Sequence, residues 1–197
     1  MTFPARPAAL AAIALVLGGC SGGDTSGDRK ATPEETRTTT APKVAAANGP
    51  EIKADDFSFT VPEGWTEDND LADDTEVVTF AYDTNDTNDD FADNINVTVG
   101  GESVGKLDDI EAAAVKQYEG AGFENVSVAN RQEMDGETGI HLSTATSADG
   151  TPYLVEQYIV NHGGIGYYVT LSFSPDVPKP LREERSISIL STWKWLT

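Results

Sequence analysis

Positive charge is scarce in this chain of 197 residues: 13 lysines and arginines face 33 aspartates and glutamates, a net of −20. A surface of that sign repels phosphate backbones and anionic headgroups, which argues against nucleic-acid binding and electrostatic adsorption to a membrane. Cysteine is almost absent. The single one, Cys20, rules out a disulfide framework. With only two histidines, His141 and His162, the chain also lacks the ligands of an ordinary zinc site. No apolar run is long enough to span a bilayer. The run Ala8 to Val16 covers nine residues, and at ~1.5 Å rise per residue that falls far short of a ~30 Å hydrocarbon core.

What that run does resemble is the apolar centre of an export signal. Met1 to Pro7 carries one charge, Arg6, and the apolar stretch ends in Leu17-Gly18-Gly19-Cys20. This spelling resembles the bacterial lipobox, in which small side chains admit the signal peptidase and a thiolate takes a diacylglycerol. Residues 1–19 are therefore expected to be removed and Cys20 to be lipidated, on the outer face of a membrane. That lipid would be the only membrane attachment, and lasting anchorage needs two or three acyl chains. Residues 20–50 are rich in Gly, Ser, Thr, Ala, Asp and Pro, with Val44 as the one sizeable apolar residue. They cannot bury enough surface to offset their ordering entropy, so they are expected to form a disordered tether spanning roughly 30 Å. Residues 51–197 suffice for one globular domain.

Within that domain the hydrophobic period alternates between two and 3.6. Phe57, Phe59 and Val61 lead into a Pro62-Glu63-Gly64 turn; Val78, Phe80 and Tyr82, then Ile95, Val97 and Val99, alternate as strands. Leu107, Ile110, Ala114 and Tyr118 form one helix stripe, with Asp108, Asp109 and Glu111 near its positive end and Gly120 and Gly122 as the stop. Four further strands are expected. Val126 and Val128 mark the first, and Ile140 and Leu142 the second. The third, TPYLVEQYIV, is apolar on both faces as a central strand should be, and the fourth carries Tyr167, Val169, Leu171 and Phe173. Asp149-Gly150 and Gly163-Gly164 signal hairpins between the last three. LREERSISILSTWKW reads as a terminal helix after Pro178 and Pro180. The class is α+β, with a mainly antiparallel sheet, one internal helix and one C-terminal helix.

The opening FTVPEGW, the strand INVTV before a long helix, the strand YYVTLSFSP and the closing Trp-Lys-Trp are similar to the PsbP-like α/β/α sandwich group. That group includes LpqN-type bacterial lipoproteins and DcrB-related proteins, and the likeness spans roughly residues 55–197. The resemblance implies a non-enzymatic module that assists a partner, and it carries no catalytic residues. Scarce lysine with abundant Ala, Gly, Asp and Thr suits an actinobacterial source.

Three patterns bear on chemistry. Gly101-Glu102-Ser103-Val104-Gly105 matches the nucleophile elbow G-x-S-x-G, and Asp149 and His162 follow in hydrolase order. The helix stripe begins only at Leu107, however, and an elbow belongs to a parallel sheet. Asp83, Asn85, Asp86, Asp89, Asp90 and Asp93 offer oxygen ligands for calcium, but on EF-hand spacing the glycine position holds Asn88 and the closing glutamate position Asn94. This segment reads instead as a solvated acidic hairpin. His141, out of phase with Ile140 and Leu142, should face away from their core side, and Trp65, Trp193 and Trp195 should be core anchors. The expected function is a lipid-anchored, non-catalytic domain that binds or supports an envelope protein, with no cofactor. The alternative is a small-ligand or lipid carrier with a pocket between sheet and helices. A Ser103 hydrolase is the third reading.

Overall fold

The computed structural model describes residues 44–68, 70, 77–86, 91–103 and 105–196. The leader, Cys20, most of the tether, Asp89 and Asp90 lie outside the described residues. Where both residues of a two-residue loop adopt positive φ, the chain reverses with the twist that adjoining strands need. Asp149 and Gly150 (φ 51° and 84°) therefore join strand β8 (Glu137–Ala148) to β9 (Thr151–His162), and Gly163 and Gly164 (φ 59° and 84°) join β9 to β10 (Ile165–Phe173). A third such turn, Asp135-Gly136, joins the short β7 (Gln132–Met134) to β8.

These hairpins form the middle of a larger antiparallel sheet. Its order is β3 (Trp65–Glu67), β4 (Val77–Asp83), β5 (Asn94–Glu102), β10, β9, β8, β6 (Glu124–Val128), with β7 paired to β8. The run expected to be a central strand, β9, lies between β8 and β10. A second sheet was not foreseen. It comprises β1 (Glu51–Lys53), β2 (Phe57–Thr60) and β11 (Lys194–Trp195).

Cross-strand partners share a face, so register divides the side chains of the large sheet into two sets. One set holds Ile95, Val97, Tyr158, Val160, Val169 and Leu171. It packs against Phe57 and Phe59 of β2, Ile189 and Leu190 of helix α2 (Lys179–Leu190), and Trp193. The other holds Ile140, Leu142, Ile159 and Tyr168 and packs against Ile110, Ala114 and Tyr118 of helix α1 (Leu107–Gly120). The stripe read from the sequence is thus the buried face of α1. Tyr118 closes that contact with a 2.7 Å hydrogen bond from its hydroxyl to Gln157 Oε1.

Four expectations need correction. The terminal helix stops at Leu190, and Trp-Lys-Trp is not helical: Thr60 N donates to Thr192 Oγ1 at 2.8 Å, which turns the chain onto β2 as strand β11. Val78 does not face the core. A register shift between Val77 and Thr79 leaves Val78 43% exposed and buries Val77 instead. Val128, on the edge strand β6, is 50% exposed. Folded contacts also begin before the expected boundary at residue 51. Ala47 N donates to Ser188 O, Gly49 N donates to Val61 O, and a β-carbon on Gly49 would stand 2.4 Å from Pro62 O.

A candidate docking site: the acidic recess

Strand β4 ends at Asp83 and β5 begins at Asn94, so the polar connection between them is held at one end of the sheet, beside the exit of β10 and the side of α2. The described part of that connection is anchored by its own aspartates. Asp83 Oδ1 accepts from Asn85 N at 2.9 Å, and Asp86 Oδ2 accepts from Asp93 N at 3.0 Å. Asp83 N donates to Asp93 O at 2.9 Å. Short polar side chains that cap nearby backbone groups hold a loop in one shape. The chain then returns from β10 through Ser174 and Asp176, and α2 adds Arg185.

Together these segments enclose a recess of about 270 Å³ lined by Asp83, Asn85, Asp86, Asp93, Ser174, Asp176, Val177 and Arg185. Four carboxylates face one guanidinium. Asp93 is the innermost, 1% exposed, with Oδ1 accepting from Ser174 N at 2.9 Å and Oδ2 paired with Arg185. Burial pushes its carboxyl from 3.8 to about 6; Ser174 N and Arg185 pull it down in part, and Asp86 and Asp83 push it further up. Arg185 therefore neutralises the innermost carboxyl, and the outer three are left to attract a cation. A lysine or arginine side chain is the group that such a recess fits. Among the described residues no three histidine, cysteine or acidic side chains are arranged to hold a metal ion.

The shift of Asp93 sets a pH dependence. Its folded value lies above its unfolded value, so its share of stability is complete below about pH 3.8 and is lost as pH rises through about 6. In a carboxyl-carbon NMR titration Asp93 is expected to show a midpoint near 6. A midpoint below 4.5 would contradict the buried, acid-flanked environment.

The other sequence candidates separate. Ser103 is buried at the end of β5, where its N donates to Gly164 O at 2.8 Å and its O accepts from Asn161 Nδ2. His162 faces the α2 side of the sheet. Its Nδ1 lies 3.0 Å from Glu137 Oε1 and its ring stacks on Trp195 at 4.2 Å. Asp149 and His162 sit at opposite ends of β9, roughly 35 Å apart at ~3.3 Å per residue, so the three do not form a triad. A second recess of about 390 Å³ near Ser103 is lined by Gly105, Leu107, Ile110, Gly136, Glu137, Thr138, Asn161 and Gly163, and His162 is not among them.

His141 does face away from Ile140 and Leu142, but into a second buried layer. It is 5% exposed, with Nε2 2.8 Å from Glu156 Oε2, and its ring stacks on Tyr158 at 4.2 Å. Glu156 is fully buried and also accepts from Ser143 Oγ at 3.1 Å and Arg182 Nε at 2.9 Å. The sequence reading missed this cluster. Its signal was Glu156 itself, a charge inside a run otherwise suited to a central strand. Trp65 and Trp193 are core anchors at 4% and 1% exposure, whereas Trp195 is half-buried at the sheet edge.

No protein-family profile matches the sequence, and no curated protein does. Solved structures resemble its fold. The solution structure of cyanobacterial PsbP from Synechocystis aligns with a TM-score of 0.53 at 14% identity, over 80% of this chain and 98% of that one. LpqN, involved in cell envelope biogenesis of Mycobacterium tuberculosis, aligns at 0.48 and 15% identity, over 71% of this chain and 82% of that one. A Bacteroides thetaiotaomicron crystal structure aligns at 0.44 and 15% identity over 72% of this chain; the alignment spans less than half of that protein, 45% of its length. The fold is PsbP-like: two helices among the described residues and an antiparallel sheet.

Proposed function

We propose that the chain is an extracytoplasmic, lipid-anchored, non-catalytic domain that docks a basic segment of an envelope protein in the acidic recess. Four aspartates gathered from three separate stretches of chain, with Arg185 committed to the innermost, carry this reading. The leader and the lipobox-like Leu17 to Cys20 support the address, with cleavage before Cys20 and a tether from there to the folded domain. The layering of α1, the large sheet and α2 is read as an α/β/α sandwich, in which helices cover both faces and leave loop ends free to bind. No cofactor takes part. Opposed carboxylates and cationic side chains steer encounter and fix orientation, and both effects weaken with salt.

Two experiments test it. A photo-crosslinking residue at Asn85, an exposed position on the rim, should capture an envelope protein through a Lys- or Arg-rich peptide identified by mass spectrometry. Adducts confined to acidic or apolar peptides would refute the docking mode. Cys20→Ser should abolish incorporation of a clickable fatty acid, since the thiol alone accepts the diacylglycerol. Label that persists in the variant would refute the anchor.

A further inference from the structure

Val44 is half-buried, and the residues that follow it fix where the tether joins the domain. Glu51 pairs with Thr60, and Thr60 N meets Thr192 Oγ1 just beyond the end of α2. Ala47 N, earlier in the chain, donates to Ser188 O at 2.9 Å. From Glu51 back to Ala47 the chain therefore runs along α2 from Thr192 toward Arg185, whose carbonyl accepts from Ser188 Oγ at 2.7 Å. On the other flank Gly49 N donates to Val61 O, and the Pro62-Glu63-Gly64 turn follows Val61. That turn lies against Asn85: Thr84 N donates to Gly64 O at 3.0 Å, and a β-carbon on Gly64 would stand 2.1 Å from Asn85 Nδ2. Arg185 and Asn85 both line the acidic recess. The tether thus meets the domain beside two walls of that recess.

What arrives there is positively charged. Between Thr36 and Pro50 the sequence holds Arg37 and Lys43 and no acid, in a chain with 33 acids and a net charge of −20. The recess has the opposite sign, because Asp83, Asp86 and Asp176 remain once Arg185 has neutralised Asp93. Reach is not limiting. Fully extended, the chain from Lys43 to Ala47 covers roughly 14 Å and from Arg37 to Ala47 roughly 35 Å. Ser188 and Arg185 stand one helical turn apart, ~5 Å. A segment held this close acts at an effective concentration on the order of millimolar, so a contact of millimolar intrinsic affinity is already half populated. We infer that Arg37 to Lys43 of the chain's own tether folds back into the acidic recess, with Lys43 among the outer carboxylates, and occupies it until a more basic partner segment displaces it. The self-contact rests on the recess as a site for cationic side chains. Its displacement rests in addition on the docking of an envelope protein there.

Carbodiimide coupling of the full chain tests the contact, since it joins an ammonium to a carboxylate only where the two touch. Lys43 should couple to Asp83, Asp86 or Asp176 with a yield independent of protein concentration. That yield should fall at least fivefold in about 1 M salt, where the screening length is ~3 Å. Coupling of Lys43 spread evenly over carboxylates outside the recess, or none at all, would overturn the inference. Titration calorimetry with tetralysine tests the competition. Arg37→Gln with Lys43→Gln precedes the first described residue of the domain, so the variant should melt as wild type does and bind tetralysine at least threefold more tightly. Measurable but equal affinity of the two proteins would overturn the inference as well. Failure of tetralysine to bind either protein, while Lys43 couples as expected, would refute docking of a basic partner and leave the self-contact standing. The two readings therefore fail separately.

Discussion

Glu156→Gln is expected to lower the unfolding free energy by about 3–5 kcal/mol, the usual effect of removing one partner from a buried ion pair. Glu156 is fully buried, and Arg182 of α2 is only 8% exposed with its Nε 2.9 Å from the carboxylate. Glutamine keeps the shape but leaves that guanidinium without a counter-charge. The melting temperature should fall on the order of 10 °C. Arg182→Met in the same chain should restore part of the loss, because the stranded charge is then gone. A melting temperature within about 2 °C of wild type in the single variant would contradict this role. The carboxyl also sets an acid limit. Burial pushes it up, but hydrogen bonds and charge from His141 and Arg182 more than offset that and hold it below the ordinary 4.5. The depressed value means that its share of stability is complete above about pH 4.5 and lost as pH falls below. Asp93 acts in the opposite sense between about 3.8 and 6.

Trp193→Ala should be comparably damaging, about 3–5 kcal/mol. The indole is 1% exposed and lies against Phe57 at 4.7 Å and Phe59 at 5.2 Å, nearly parallel to both rings. It joins the small sheet to α2 and the large sheet, so truncation opens a cavity where three elements meet. Trp193→Phe should lose much less, because the indole Nε1 has no hydrogen-bond partner to strand. Denaturant unfolding of the two variants measures the difference, and equal losses would contradict the packing argument.

Much of the fold was legible because it is encoded locally. The α1 stripe and the Asp149-Gly150 and Gly163-Gly164 turns need only neighbouring residues to be read, and each appears where it was expected. What escaped depends on distant chain. Trp-Lys-Trp continues a plausible helix until Thr192 meets Thr60, 132 residues away. Alternation told that His141 points away from Ile140 and Leu142, but could not tell that α2 buries that side as well. The acidic hairpin was visible as a run of Asp and Asn. Its conversion into a recess was not, because Arg185 reaches Asp93 across 92 residues. The glycine-flanked Ser103 shows the converse: a local pattern with no distant partner of the right kind.

The most direct test of the docking account is charge reversal at the rim. Asp83→Lys with Asp86→Lys reverses two half-buried carboxylates but also removes the acceptors of Asn85 N and Asp93 N, so Asp83→Asn with Asp86→Asn, which keeps an acceptor at each position and loses the charge alone, is measured beside it and should lose capture in the same direction. Crosslinking from Asn85 should then capture at least tenfold less of the basic peptide than wild type at low ionic strength. The gap should narrow as salt is raised, and Ser103→Ala should capture as wild type does. Undiminished capture by the reversed recess, in a protein that melts normally, would contradict the account.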